Sequence, residues 1–329
     1  MTRIQIWNGD ICDLEVDAIV TAANTSLWMS TGVGGALKQA GGEQIEFAAV
    51  RQAPVSLGDA IVTPAGRLAA RIVIHAVSLD RDRRTSAVAI QASRYMHKYG
   101  VTEEQTAMVA VQDRKNARNN PYAQLQLDIT VEDVMKSPPL CTPIKLLDAC
   151  PASDGAAAMI FACEEKAKKL CPRPAWVRAV SGIAESANYP YRDWAEPIAL
   201  IKAARKCYAE CGITDPRKQL DVVELYDAFS PQMLIWAEAL GLCERGEGGR
   251  LIESGAASMQ GDIPINPSGG VLSANTIGAT AMVRQVEACL QVMGGADQRQ
   301  VEGAEWALAH GWGGGIQFHT VMIVSSEEP

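Results

Sequence analysis

The chain has 329 residues, 48% apolar and 21% charged, an ordinary globular composition with room for two domains at about 100–200 residues each. It holds no apolar run of about 18 residues that would make a transmembrane helix, and its first residues lack the apolar core of a signal peptide, so a cytoplasmic location is the default expectation. A net charge of −8 argues against general nucleic-acid binding; nine cysteines without a CxxC pair and only four histidines argue against a zinc site or a disulfide framework.

In chain order, Arg3–Trp7, Ala18–Thr21, Ala60–Thr63 and Ile72–Ala76 are short runs rich in Val or Ile that predict strands. Helical spacing runs from Gly34 to Ala49 through Ala36, Leu37, Ala40 and Ile45. The order β-β-α-β-β predicts an α/β layer, and the polar stretch 78–86 marks its boundary. Beyond it, Thr102 with Gln105 and Thr130 with Asp133 are capping boxes, predicting a helix over 103–112 and another after Thr130. The apolar run Ala156–Cys163 reads as a buried strand ahead of a solvated helix at Glu164, and Cys171–Pro174 reads as a linker. Then come a strand at Trp176–Ile183, helices near 196–211 and 231–241, a strand at 221–225, a long helix over 277–293 and a closing strand pair. Cys150, Cys163, Cys207, Cys211 and Cys289 read as buried thiols.

Three segments put small or polar residues where core packing would not. Val222–Pro231 is a strand running into a helix opened by Ser230 and Pro231, which leaves Tyr226 and Asp227 on the turn between them. Asn266–Thr280 is a glycine-rich loop, with Asn266, Gly269 and Gly270, feeding a helix N-terminus suited to an anionic or carbonyl oxygen. His310 is followed by Gly313, Gly314 and Gly315, whose backbone N–H groups read as an oxyanion-type loop before a strand at Ile316–Val324.

In this order and spacing, YMHKYG, NPYAQ, SDGAAAMI, VELYDAF, NPSGG…IGAT and GWGGG resemble the thiolase superfamily over residues 87–329. The resemblance implies a thiolase-like α-β-α layered domain on a mixed five-stranded sheet. Residues 87–174 would be a remnant of the family's first domain and 175–329 its C-terminal domain. It also implies a coenzyme A thioester as substrate and no metal. The family's Asn-Glu-Ala-Phe or His-Asp-Cys-Phe loop is here Tyr226-Asp227-Ala228-Phe229, its Gly-His-Pro is Ala274-Asn275-Thr276, and Gly311 stands where its second cysteine belongs. Asn275 can donate to an oxyanion but cannot act as a base. The implied catalytic set is therefore His310 first, then Tyr226, with Asn275 and Asp227; His310 and Tyr226 are each open to a purely packing role. The segment bearing the family's nucleophilic cysteine has no counterpart. An acyltransferase or C–C bond-forming or -cleaving activity would thus be incomplete, or dependent on a small acyl-CoA-binding partner of the kind that a subset of thiolase-like proteins uses. The family's dimer strand is largely absent, which leaves homodimerisation open.

Residues 1–86 resemble the first half of a macrodomain through Gly9-Asp10-Ile11, Ala22-Ala23-Asn24, Gly32-Val33-Gly34-Gly35 and Val73–Ala76. That resemblance implies ADP-ribose contacts at Asp10, Ile11, Asn24, Gly32, Val33 and Gly34, although hydrolytic members carry Asp where Gly34 stands and the second phosphate loop is missing. Three readings stay open: an acyl-CoA enzyme, an ADP-ribose module on an inactive scaffold, and a hybrid chain with both sites broken. Membrane insertion and nucleic-acid binding are expected in none of them.

Overall fold

Alternating branched side chains build the sheet of the first of two units, Met1–Ser86 and Ala87–Pro329. The computed structural model describes residues 9–29, 32–56, 59–79, 83–186 and 192–328. In the first unit a short turn of helix at Ile11–Asp13 precedes β1 (Ala18–Asn24), α1 (Gly32–Gly41), α2 (Glu43–Val50), β2 (Ala60–Pro64) and β3 (Ile72–Leu79). The strand order is β1-β3-β2; β1 runs parallel to β3 with Ile19 opposite Val73, and β2 runs antiparallel to β3. Ile19, Val73, Leu37, Ile45 and Leu68 form its core. The helical run expected from 34 to 49 is two helices, because Gly42 breaks it at φ 104°, a conformation natural only to glycine. The strand expected at Arg3–Trp7 lies outside the described residues.

Helix α3 (Arg83–Tyr99) crosses the boundary after Ser86, and the second unit continues with α4 (Glu103–Ala117), α5 (Val131–Lys136), the small hairpin β4 (Pro139–Cys141) and β5 (Ile144–Lys145), and α6 (Glu164–Leu170). Both capping boxes, at Thr102 and Thr130, form their reciprocal bonds. There follow β6 (Trp176–Ala184), α7 (Ile198–Cys211), α8 (Pro216–Gln219), β7 (Val222–Glu224), α9 (Ser230–Ala239), α10 (Gly248–Glu253), α11 (Gly270–Ser273), α12 (Thr280–Met293), β8 (Trp306–Gly313) and β9 (Phe318–Ser325).

The main sheet is mixed, with order β6-β9-β8-β7; only β7 and β8 are parallel. Among the described residues it has four strands rather than the expected five, and a single parallel bridge from Val223 to Ile265 holds the outer place beside β7. Side-chain alternation sorts its two faces. Val222, Ala307, Ala309, Met322 and Val324 pack with Ala288 and Val292 of α12, whereas Val223, Leu308, Val321 and Ile323 join the core of α7 and α9. The result is a helix–sheet–helix stack.

One apolar core runs from Ala87 to Ile323, across the expected boundary at 174/175. One expectation changes. The run Ala156–Cys163 is not a buried strand: it pairs with no strand among the described residues, and Ile160 and Phe161 are 92% and 72% exposed. A strand needs a neighbouring backbone to bond, and these residues find none. No described helix is long and apolar enough to cross a membrane.

Candidate functional site

Four chain segments close a ring in the second unit. Strand β7 ends at Glu224, and the backbone N–H of Leu225 after it donates to Asn266 Oδ1 at 2.6 Å, so the glycine-rich loop is fixed to the turn that carries Tyr226 and Asp227. The Cys150 N–H donates to the Ala228 carbonyl at 2.9 Å, bringing the segment before Ser153 alongside that turn. Asn275 Nδ2 donates to Cys150 Sγ at 3.1 Å, and Thr280 Oγ1 donates to Asn275 Oδ1 at 2.7 Å, which fixes the amide's orientation. Ala281, next to Thr280, lies so close to Gly311 that a Cβ there would stand 2.8 Å from its own. The indole N–H of Trp312 donates to the Tyr226 carbonyl at 2.8 Å and completes the circuit. Trp236 donates to the same carbonyl at 3.0 Å, and the Tyr226 ring lies 5.1 Å from that of Trp312.

Tyr226, Asp227, Asn266, Gly269, Gly270 and Asn275 are therefore brought together. Asp227 is fully buried, accepts a hydrogen bond from the Val271 N–H at 2.8 Å, and has its carboxyl pushed above the usual range by burial. Asn266 and Asn275 are 0% and 4% exposed, so the loop holds amides, not charges, against the ring.

His310 is placed differently from expectation. It does not stand on an irregular loop but within β8, on the sheet face turned toward Trp236, and it is 1% exposed. Its Nε2 faces His319 Nδ1 at 3.0 Å with the rings stacked. Burial, with His319 beside it, holds its pKa well below the ordinary histidine value, and burial pushes His319 down to about 3. Burial favours the neutral form of both rings, and His310 is enclosed between His319 and Trp236. The expected oxyanion loop is likewise regular structure: Gly313 ends β8, Gly314 lies in the hairpin turn, and the Gly315 carbonyl accepts from Arg192 at 2.9 Å.

Residues absent from the expected set also enter the ring. Cys150, read as a buried thiol in an apolar context, is half-buried and bonded to Asn275. Asp113 and Arg114, on the inner face of α4, are 0% and 1% exposed. Their signal is two charged residues falling in register with the apolar positions Ala107, Ala110 and Ala117 of one helix. Ending that helix at 112 hides it.

In the first unit the residues expected at ADP-ribose serve local structure. Asp10 caps the turn at Ile11–Asp13 by accepting from the Cys12 N–H at 2.9 Å, which lowers its pKa. Asn24 Oδ1 accepts from Ser26, and its Nδ2 donates to the Trp28 carbonyl. Ile11 is partly buried in the small core; Gly32, Val33 and Gly34 form the first turn of α1 instead of an open loop. A cleft of about 400 Å³ lined by Met29, Gly35, Lys38 and Arg67, among others, meets that glycine run only at Gly35. Among the described residues no group of three or more His, Cys, Asp and Glu side chains is placed to hold a metal ion.

A mixed sheet between helix layers, with a strand-to-helix turn and a glycine-rich loop bonded to each other, is a thiolase-like α/β domain. Comparison with known proteins agrees: residues 183–326 are a thiolase C-terminal domain-like region, and residues 20–108 match the macro domain, a match that runs past Ser86 into α4. The chain is 41% identical over 231 residues to an acetyl-CoA acetyltransferase of Methanothermobacter thermautotrophicus, covering 70% of this chain and 60% of that one. It is 38% identical over 229 residues to human sterol carrier protein 2, covering 67% of this chain and 41% of that one. Among solved structures, an Ltp2-ChsH2(DUF35) aldolase superposes with a TM-score of 0.66 at 29% identity, over 75% of this chain and 65% of that one. The chain thus spans about 60% of the archaeal relative and less than half of the human one.

Proposed function

We propose that the second unit handles an acyl-CoA thioester in a C–C bond-cleaving or -forming reaction of the thiolase class, without an acyl-cysteine of its own at the family's usual place. The ring linking Tyr226, Asn275, Cys150 and Gly311 carries this reading, because it ties the turn that bears Tyr226 to the loop that bears a fixed amide. Without an acyl-cysteine the cleavage is of the retro-aldol type, so its substrate is a β-hydroxyacyl thioester. Tyr226 must first be ionised; its phenolate then takes the β-hydroxyl proton, the bond between the α and β carbons breaks, and a carbonyl product forms. The electron pair passes to the thioester enolate, whose oxygen is held by an N–H of Asn275, and the α carbon regains a proton from Tyr226. Atoms balance without a redox partner. The aldolase among the similar structures, Ltp2-ChsH2(DUF35), is named with a second component, which supports a partner for this unit as well.

A second reading, ADP-ribose binding by the first unit, is supported by the macro-domain match and weakened by the local duties of Asp10 and Asn24. Thermal unfolding with each ligand tests both. A ligand at about 100 times its Kd stabilises its fold by about 2.7 kcal/mol. Stabilisation by coenzyme A or acetyl-CoA alone supports the first reading, and stabilisation by ADP-ribose alone supports the second. No shift with either ligand at millimolar concentration would remove both and leave a hybrid chain with two broken sites.

A further inference from the structure

The turn that carries Tyr226 is held from below by a buried pair of acids. Asp113 on α4 and Asp227 on the turn are each 0% exposed, and both crowd the α-carbon of Gly270. A Cβ at Gly270 would stand 2.4 Å from Asp113 Oδ2, 2.7 Å from Asp227 Oδ1 and 2.5 Å from Asn266 Nδ2. Asn266 is itself fully buried, and its Nδ2 has no hydrogen-bond partner of ordinary geometry among the described residues; the same holds for both Asp113 oxygens and Asp227 Oδ2. The charged groups around the pair are Arg114 from α4 and Arg284 from α12, which is bonded to Glu224 at 2.6 Å. Two carboxylates cannot sit side by side in such a place without a proton between them.

We propose that Asp113 and Asp227 share one proton and act as a positioning pair, clamping the Tyr226 turn between α4 and the Gly269–Gly270 loop. The clamp complements the two indole bonds to the Tyr226 carbonyl, so the turn is fixed on both sides. That it serves catalysis rests on the function proposed above; the shared proton does not.

Infrared spectroscopy of the full chain labelled with ¹³C-aspartate tests the proton. Wild type should show a protonated-carboxyl stretch at neutral pH that both D113N and D227N remove, and absence of such a band overturns the proposal. ¹⁹F NMR with fluorotyrosine, the Tyr226 resonance being assigned by its loss in Y226F, tests positioning without any activity assay. D113A should shift or broaden that resonance, and D113N, which can still donate a hydrogen to Asp227, should restore it. A resonance unmoved in D113A overturns the clamp; if D113A does not fold, D113S carries the same readout. Loss of acyl-CoA chemistry with both spectroscopic results intact would count against the proposed function alone.

Discussion

Acidification should destabilise this protein through His310 and His319 in a way that removing the pair abolishes. In the unfolded chain each histidine titrates near its ordinary value of about 6.5. In the fold, burial keeps His310 well below that value and holds His319 at about 3. A group depressed on folding contributes stability above its unfolded pKa and loses it as pH falls toward the folded one. Each unit below about 6.5 therefore costs about 1.4 kcal/mol per histidine that stays neutral, or about 2 kcal/mol each at pH ~5. For the pair this reaches about 4 kcal/mol, a large share of a domain's usual 5–15 kcal/mol. Buried acids work the other way: Asp113, Asp227 and Asp148 are raised by burial and contribute stability that is lost as pH rises. The wild-type curve is thus a sum, and the difference between wild type and H310L/H319L isolates the histidines. Urea unfolding of both at pH ~7.5 and ~5 is the assay. Wild type should lose about 4 kcal/mol more than the double variant between the two. A difference under about 1 kcal/mol would mean that the pair already accepts a proton or meets water, and the placement of His310 as a buried, neutral ring would fail.

Y226F should lower any acyl-CoA C–C turnover by about 10²–10⁴-fold, the usual worth of a general acid–base, with the melting temperature unchanged; equal turnover would take Tyr226 out of the chemistry. Gly270→Ala should destabilise by about 2–5 kcal/mol, since Gly270 has φ 61° and the new methyl would meet Asp113 Oδ2; urea midpoints read it, and a neutral substitution would show that the loop can move away. I160E/F161E should leave stability within about 0.5 kcal/mol while reducing concentration-dependent association in light scattering, because both side chains are exposed. Identical scattering would show that this apolar run is harmless.

Much of the fold was legible because its signals are local. Thr102 with Gln105 and Thr130 with Asp133 announce helices that begin one residue later, and those boxes form as read. The strands at Ala18, Ala60, Ile72 and Trp176 begin where the apolar runs begin. What failed depends on a distant partner. Ala156–Cys163 has a strand's composition but no neighbouring backbone to pair with, and composition alone does not supply one.

The site divides along the same line. Tyr226, Asp227, Asn266 and Asn275 were visible because a strand-to-helix turn and a glycine-rich loop are sequence features, and their convergence follows from the fold those features share. His310 looked like a catalytic residue because glycines follow it, yet a histidine in a strand faces whatever its parity dictates. Here the register sets His310 opposite Val321 and Trp312 opposite His319, so the two histidines lie diagonally on one face under Trp236. Shifting β9 by one residue would put His319 on the other face, and the buried pair would not exist. Asp113 was hidden for the complementary reason. Its helix was ended at 112, one residue short of an acid whose partner, Asp227, is 114 residues further on. Chemistry that depends on register or on long-range pairing is written in the sequence only as an oddity, a charge on an apolar helix face or a histidine among small residues. The structure decides which oddity joins the ring around Tyr226 and which supports it from behind.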